Sequence, residues 1–338
     1  KSKLYKTYVK GVESSIDWNG DGRIYSSYNF AATVTGRLSC SQYSAGNGMR
    51  KGVSFHTLPR PTEDNVNIRK LMVSDTDKVF IAADYSQAEL RVLAQCCRDE
   101  NLLEAFNSGT DLHRYTASLI YGKPENQITK TERQIAKSVN FLIVYGGGPH
   151  KLAQQVGRSV GYCKNIFHEY QNSFPKVFSW IKFVHKYIRK NEHAVSLFGR
   201  RRNLPNVSSP IRKYQFGALR QGMNFVIQSS ASDMMLQGIL GLEEALNADK
   251  LDAQILATVH DSVEVQCAKS ETKQVVELIK SCLTDTSAFK GFYNLDFAVP
   301  FEVDVEVGNS FGAVTEAHFD DGGYLTNLND ILDYVENS

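Results

Sequence analysis

Two aspartates stand where the sequence could place carboxylates on rigid backbone. Asp84 ends an apolar, β-leaning run, Lys78 to Asp84 (KVFIAAD), which reads as a buried strand. Asp261 lies inside a hairpin signal, because Gln254–Val259 and Val263–Cys267 alternate around His260-Asp261-Ser262. Carboxylates far apart in sequence can meet on neighbouring strands. There they could hold two Mg²⁺ ions, whose charge offsets the carboxylates' repulsion and suits phosphoryl transfer. Taken alone, each aspartate is equally a helix N-cap or a turn former, so spacing leaves both readings open.

A second set lies on one helix. Thr129-Lys130-Thr131-Glu132 has the form of a capping box and opens a helix that can run to Tyr145. Arg133, Lys137, Phe141 and Tyr145 recur along it every fourth residue. Each is displaced by roughly 40° from the last, so they form one slowly winding stripe. A basic start and an aromatic end suit a nucleotide, with triphosphate at one end and base at the other. The same stripe also fits a snorkelling basic pair above two core aromatics. Arg220, Asn224 and Gln228 repeat the spacing further along the chain, where polar groups could reach minor-groove acceptors common to every base pair. Arg200-Arg201-Arg202, Arg212-Lys213 and Arg220 concentrate positive charge in the middle region, although a charge run is most often a solvated face.

The elements that must position these residues follow from periodicity and punctuation. Helices are expected over Gln87–Cys97, Asp111–Tyr121, Thr129–Tyr145, Leu152–Val156, Gly161–Asn172 and Lys176–Asn191. Further helices are expected over Tyr214–Asn247 and Glu271–Leu283. Ala194–Pro205 reads as strand–turn–strand with Gly199 at the turn, and Phe301–Val307 as a last strand. Strands separated by a large helical insertion, from Asp84 to about Ser209, indicate an α+β sheet carrying a helical lobe. The 338 residues allow one large domain or two sub-domains with a shared core.

Hydrophobic residues make up 42% and charged residues 22%, the balance of a globular chain. No apolar run is long enough to span a bilayer. The start, KSKLYKTYVKGVE, lacks an apolar signal core and reads as a chain cut in mid-protein. Net charge is only +1, whereas nucleic-acid-binding chains are commonly strongly basic. Here a basic middle is offset by Asp320, Asp321, Asp330, Asp333 and Glu336 near the end. The six cysteines form no C-x-x-C pair, which argues for reduced thiols rather than a zinc site.

The flanking residues narrow the reading. Asp84-Tyr85-Ser86-Gln87-Ala88-Glu89-Leu90-Arg91 closely resembles the first catalytic motif of family A DNA polymerases, the bacterial polymerase I type. Val259-His260-Asp261 resembles the third. Arg133, Lys137, Phe141 and Tyr145-Gly146 fit the second, R-x3-K-x7-YG with an aromatic four residues after the lysine. Thr35-Gly36-Arg37-Leu38-Ser39, Leu197-Phe198-Gly199-Arg200-Arg201-Arg202 and the Arg220, Asn224, Gln228 block match further signatures, all in family order between about Tyr5 and Gly312.

The resemblance implies a right-hand polymerase fold, an antiparallel palm sheet with a helical fingers insertion. Residues 1–34 would be a thumb remnant or thumb–palm junction, 35–95 the first part of the palm and 96–208 the fingers. Residues 209–312 would be the second part of the palm, and 313–338 an acidic tail. It implies addition of deoxynucleoside triphosphates to a primer 3′-hydroxyl. Asp84, Asp261 and Lys137 would be catalytic, and Asp84, Asp261 and the Tyr85 carbonyl would hold two Mg²⁺, with Mn²⁺ able to substitute. Gln87, Glu89, His113, Arg133, Lys137, Phe141 and Tyr145 would surround the nucleotide. Arg133 and Lys137 would grip phosphates, Phe141 would lie by the base and sugar, and Tyr145 by the templating base. Glu89 would crowd the sugar 2′ position. Arg37, Arg200, Arg201, Arg202, Arg220, Asn224, Gln228 and His260 would face primer–template DNA.

Four features depart from the family. Ser262 stands where many relatives carry Glu. Glu264, two residues on and on the same strand face, is expected as a surface acid, with partial replacement of the missing one as the alternative. Leu142 replaces a usual Gly, and would stiffen the helix or fill a gap beneath it. Ser54 to Pro59 lacks the family's amide-bearing form. Relatives carry a thumb, and commonly an exonuclease domain, ahead of the Thr35-Gly36-Arg37 signature, where this chain has about thirty residues. The expectation is no 3′→5′ exonuclease activity from this chain alone and a weak grip on duplex DNA. Thumb and exonuclease would then come from the rest of a longer chain or from a separate polypeptide. The expected setting is the cytoplasm of a bacterial or phage-infected cell, or an organelle, with no membrane partner and no secretion. Two rivals are a single-subunit RNA polymerase, opposed by Glu89 and Phe141, and a non-catalytic polymerase-like DNA-binding subunit, opposed by Asp84, Asp261, Arg133 and Lys137.

Overall fold

In the strand Lys78–Tyr85 the alternate residues Val79, Ile81, Ala83 and Tyr85 are buried, while of the intervening ones Phe80 is buried, Lys78 and Ala82 are half-buried and Asp84 is exposed. That period of two sets the architecture around the two aspartates. The computed structural model describes residues 4–44, 50–59 and 67–337. In chain order the elements begin with a π-helical turn, Leu4–Val9, that leads into α1 (Lys10–Asn19). There follow β1 (Ser26–Asn29), β2 (Ser39–Ser44), β3 (Arg50–Lys51) and β4 (Lys78–Tyr85). The helical segment comprises α2 (Ala88–Cys97), α3 (Glu100–Asn107), α4 (Leu112–Tyr121), α5 (Lys130–Val144), α6 (Pro149–Val156), α7 (Val160–Ser173) and α8 (Pro175–Asn191). After it come β5 (His193–Val195), β6 (Arg201–Asn203), α9 (Arg212–Ala248), β7 (Ala253–Val259) and β8 (Ser262–Ala268). The chain closes with α10 (Thr272–Thr284), α11 (Ser287–Tyr293), β9 (Val303–Ser310), β10 (Ala313–Glu316) and α12 (Leu328–Asn337).

These elements form two compact units. The first comprises Lys1–Ser86, Met234–Asp285 and Glu302–Ser338, and the second Gln87–Asp233 and Thr286–Phe301. Their borders differ from the palm and fingers segments named from the resemblance. The chain changes unit directly after Ser86, and α9 contributes its first part to the second unit and its remainder to the first.

The first unit is built on a five-stranded antiparallel sheet in the order β10-β9-β4-β8-β7. Val79, Ile81, Ala83 and Tyr85 of β4 share a face with Val263, Val265 and Cys267 of β8 and with Val303, Val305 and Val307 of β9. All are buried, and α10 packs over them with Val275, Val276, Ile279 and Leu283. Tyr85 Oη donates to the Leu283 carbonyl at 2.7 Å, which satisfies the one polar group on that face. The opposite face therefore carries Asp84, Ser262 and Asp304 in one row and Ala82, Glu264 and Glu306 in the next. A register slip of one residue would turn Asp84 into the apolar core.

Three features of the first unit have no clear periodic signal. One is the small β1-β2-β3 sheet, which is joined to β7 by Tyr28 Oη donating to Thr258 O at 2.8 Å. The others are α1 and the edge of the main sheet. Residues expected to form an acidic tail supply that edge as β10, then α12, whose Ile331 and Val335 are buried. Gly308 lies where β9 meets the bulge at Ala313 and Val314, and a Cβ there would fall 1.8 Å from the Ala313 carbonyl oxygen. Gly308→Ala is expected to destabilise the first unit by about 2 kcal/mol, the scale of overpacking in a closed site. A lowered urea midpoint checks this, and an unchanged midpoint would show that the bulge adjusts freely.

The second unit is helical, with the β5–β6 hairpin at one side. Its core gathers Val184 and Ile188 of α8, Ala194, Leu204 and Val207, and Ala218, Leu219, Met223, Phe225 and Val226 of α9. Gly222 permits the close approach of α9, since a Cβ there would meet Ile188 Cδ1 at 2.4 Å and Leu204 Cδ1 at 2.6 Å. Among the described residues no helix is long and apolar enough to cross a membrane. All six cysteines are free, three buried and three half-buried.

Candidate active site

The first unit brings Asp84 and Asp261 to the same end of the sheet. The backbone N–H of Tyr85 donates to the Asp261 carbonyl at 3.2 Å, so the strand carrying one aspartate is tied to the turn carrying the other. That turn is the two-residue loop His260-Asp261 between the paired Val259 and Ser262. His260 takes the left-handed conformation, φ +62°, which a two-residue hairpin loop requires. A non-glycine residue in that region is uncommon and tends to mark a functional turn.

Arg37 comes from the segment between β1 and β2, and its Nη2 donates to both Asp261 carboxylate oxygens at 2.9 and 3.2 Å. Asp304, which the sequence reading did not single out, lies directly opposite Asp84 and is likewise exposed. The alternation Val303-Asp304-Val305-Glu306-Val307 was the signal that could have found it. His260 stacks obliquely on His56 at 5.1 Å, and His56 Nε2 lies 3.1 Å from the Thr258 carbonyl oxygen. Burial and the neighbouring His260 hold the His56 ring below the usual histidine range. Position 56, in the segment that departs from the family, therefore belongs to the turn's surroundings.

Glu264 corrects the reading made from the sequence. It is no surface acid, being only 2% exposed. Its face is the expected one, but the sheet is covered at that point. Burial pushes its carboxyl up to about 8, the Ser262 hydrogen bond and Arg69 oppose the rise, and Asp84 and Glu306 add to it.

The donor set fits a hard divalent cation. Asp84 and Asp261 offer carboxylate oxygens on rigid backbone, Asp304 adds negative charge beside Asp84, and the Arg37 guanidinium already supplies Asp261 with the positive charge its position calls for. Among the described residues no three or more His, Cys, Asp or Glu side chains converge as a ready cage. Mg²⁺ held by one or two carboxylates together with substrate phosphates needs none.

The second unit carries the other expected set. The capping box is present: Glu132 N donates to Thr129 Oγ1 at 3.2 Å and Thr129 N to Glu132 Oε2 at 2.9 Å. It starts α5 where the sequence indicated. The helix buries Ile135, Ala136, Val139, Asn140, Leu142, Ile143 and Val144. The stripe lies outside that face, with Lys137 exposed, Arg133 and Phe141 half-buried, and Tyr145 39% exposed. That placement opposes the reading of two core aromatics under a snorkelling pair. Leu142, the family's missing glycine, is buried against Gly147, where a Cβ would meet its Cδ1 at 2.3 Å. It fills the space beneath the turn.

Arg133 Nε donates to Asp111 Oδ2 at 2.6 Å. Asp111, also missed, caps α4 by accepting from the amides of His113 and Arg114. Burial raises its carboxyl, but the Arg133 bond and those amides outweigh burial and hold it below the ordinary value. His113 is 4% exposed, with Nδ1 3.1 Å from Asn140 Nδ2 and its ring 5.9 Å from Phe141. Burial, helped by Lys137 and Arg133 against Asp111, lowers it to about 4. The imidazole is therefore neutral at pH 7. Its Nδ1 accepts from the Asn140 amide, which leaves the proton on Nε2 as a donor.

Gln87 precedes α2 with φ +55°, and its Oε1 is buried with no hydrogen-bond partner among the described residues. Glu89, in the first turn, is 6% exposed. Arg220 is exposed, whereas Asn224 and Gln228 are half-buried along α9. The three successive arginines have separate partners. Arg200 bonds Asp233 at 2.5 Å, Arg201 bonds His193 Nε2 at 2.8 Å, and Arg202 bonds Gln221 at 3.2 Å.

Comparison with known proteins bears on the family and the fold. The sequence model of DNA polymerase family A matches residues 1–313. The chain is 32% identical over 315 residues to the thermostable DNA polymerase I of Thermus aquaticus, covering 93% of this chain and 35% of that protein. It is 31% identical over 325 residues to the DNA polymerase of Bacillus phage SP01, covering 94% of this chain and 34% of that one. The chain thus spans about a third of the length of these curated relatives. Among solved structures, the POL domain of Pol1 from M. smegmatis, in complex with DNA primer-template and dNTP, matches with a TM-score of 0.80 and 30% identity. That match covers 90% of this chain and 51% of the other. The expected α+β fold with its antiparallel sheet is thereby found, and the chain belongs to DNA polymerase family A.

Proposed function

We propose that this chain is the palm-and-fingers core of a template-directed DNA polymerase, extending a primer 3′-hydroxyl with deoxynucleoside triphosphates. One observation carries the proposal: Asp84 and Asp261 are held side by side at one sheet end by the Tyr85 N–H to Asp261 O bond. The relatives' names and the DNA and dNTP in the M. smegmatis complex support the substrates.

Asp84, Asp261 and the Tyr85 carbonyl would hold two Mg²⁺. Bound there, such ions lower the pKa of the primer hydroxyl and offset charge on the departing pyrophosphate. The chain's own residues bind and orient. Arg133 and Lys137 present cations toward phosphate, Arg133 already aimed by Asp111. His113 adds a neutral Nε2–H donor, which spares the site a further charge to desolvate. Phe141, held against His113, supplies an aromatic face for base and sugar, and Glu89 crowds the 2′ position. Arg37 and the His260 turn face the primer end, and Arg220, Asn224 and Gln228 present polar groups to the minor groove.

Primer extension with Mg²⁺ is the direct test, and absence of template-dependent extension would overturn the proposal. Extension with ribonucleotides alone would favour an RNA polymerase instead. Phe141→Tyr is expected to raise dideoxynucleotide use about tenfold by offering a hydroxyl where the sugar lacks one, a hydrogen bond's worth of discrimination. An unchanged ratio of dideoxy to deoxy incorporation would remove Phe141 from the sugar.

A further inference from the structure

Ser262 and Glu264 lie on the face of the sheet that bears the aspartates, and phosphoryl transfer as proposed gives neither a task. Glu264 sits on β8 opposite Ala82 of β4 and Ala257 of β7. Its Oε1 lies 2.6 Å from Ser262 Oγ, and its buried Oε2 has no hydrogen-bond partner among the described residues. Ser262 Oγ also lies 3.1 Å from the Val259 carbonyl oxygen. A hydroxyl has one hydrogen to give, and a carbonyl can only accept. An ionised Glu264 could only accept as well, which would leave one of the two contacts without a hydrogen. Both are filled when Glu264 is a carboxylic acid that donates to Ser262 Oγ, while Ser262 donates to Val259 O.

The end of this chain of bonds matters, because Val259 and Ser262 are the closing pair of the loop that carries His260 and Asp261. His260 holds that loop in a left-handed conformation that a non-glycine residue adopts at a cost.

Resting on the polymerase reading above, we propose that Glu264 and Ser262 are a positioning pair for Asp261. Glu264 Oε1–H donates to Ser262 Oγ, Ser262 Oγ–H donates to Val259 O, and the two bonds clamp the loop from which the Asp261 carboxylate projects.

The surroundings favour the acid form. Burial is the largest influence and pushes Glu264 to about 8. Asp84 on β4 and Glu306 on β9 disfavour a further negative charge, Ser262 and Arg69 favour it, and the facing residue on β7, Ala257, brings no charge. When Glu264 ionises, the single Ser262 proton turns toward it and Val259 O loses its side-chain donor. The turn then keeps its backbone bond to Tyr85, the grip of Arg37 on the carboxylate and the contact of His260 with His56. Ser262, where relatives commonly carry an acid, thus positions an aspartate instead of adding a carboxylate.

The test measures two things from about pH 6.5 to about pH 9.5, a span that brackets the titration. One is single-turnover nucleotide addition on primer–template with Mg²⁺. The other is hydrogen–deuterium exchange of the loop in the free protein, corrected for intrinsic exchange. The forms compared are wild type, Glu264→Gln, Glu264→Leu, Ser262→Ala and the double variant Ser262→Ala/Glu264→Gln. In the wild type, loop protection and kcat relative to Glu264→Gln should fall together by about threefold to tenfold near pH 8, the worth of one hydrogen bond, with KM for nucleotide unchanged. Glu264→Gln donates at every pH and should show no step. Glu264→Leu keeps the volume without the donor. It and Ser262→Ala should lose protection and kcat at every pH, and Glu264→Gln should add nothing in the Ser262→Ala background. A wild-type loop with no step in protection, or a gain from Glu264→Gln above about pH 8 that persists in the Ser262→Ala background, overturns the pair. Failure of every form to extend a primer overturns the polymerase reading instead, and the exchange data still decide the pair.

Discussion

Asp84→Asn and Asp261→Asn should each cut nucleotide addition by on the order of a thousandfold or more, while folding and DNA binding persist. An amide keeps the shape of the carboxylate but loses the charge needed to hold divalent cations, and metal-borne charge stabilisation is worth several kcal/mol in the transition state. The fold should tolerate both changes. Asp84 is exposed and faces Asp304 across the strand pair, so its neutralisation relieves the repulsion between the two carboxylates. Asp261→Asn weakens the pair with Arg37, whose two side chains keep 28% and 36% exposure. A pair so open to solvent contributes less than about 1 kcal/mol. Removing the Asp84 charge should also bring the Glu264 carboxyl part of the way back toward its ordinary value, since Asp84 is one cause of its rise. Single-turnover extension, thermal melting and a binding isotherm on primer–template check these outcomes together. Extension near the wild-type rate by either variant would sink the assignment of the catalytic aspartates.

Glu89→Ala should lower discrimination against ribonucleotides by about a hundredfold, because a site built to exclude a hydroxyl works by steric and desolvation penalties that vanish with the side chain. Glu89 sits in the first turn of α2, two residues after Gln87, whose left-handed backbone turns the chain from strand to helix. A wholly structural role would follow from the helix dipole, which favours an acid in the first turn by under about 1 kcal/mol. The two readings part cleanly. A structural Glu89 predicts a small loss of melting temperature and an unchanged ratio of deoxy- to ribonucleotide incorporation. A sugar gate predicts a changed ratio with deoxynucleotide kcat largely retained. Competition between paired nucleotides on one template measures that ratio directly.

Much of the frame was legible in the residues themselves, for local reasons. The start of α5 is encoded by the reciprocal bonds of Thr129 and Glu132, which span three residues and need no tertiary partner. β4 shows as an apolar, β-leaning run, and β7 and β8 show in their alternation around the turn, as strands whose successive side chains leave on opposite faces. The same alternation put Ser262 and Glu264 on one side together, and the aspartates were found through the residues flanking them.

What the sequence could not convey is which parts of those faces are covered and what meets them. Arg37 lies 224 residues from Asp261, and no local pattern predicts that ion pair. His113 reads as an ordinary helix-surface or core histidine until the packing of α4 on α5 buries it beside Asn140 and makes it a neutral donor. Asp304 becomes a neighbour of Asp84 only through the register of β9 on β4. Glu264 has the period of a solvent-facing residue, yet in the folded chain it is buried. Periodicity reports the direction in which a side chain leaves its own backbone. Burial and charge depend on what chain returns from far away to cover it, and that return decides ionisation and hydrogen-bonding roles at this site.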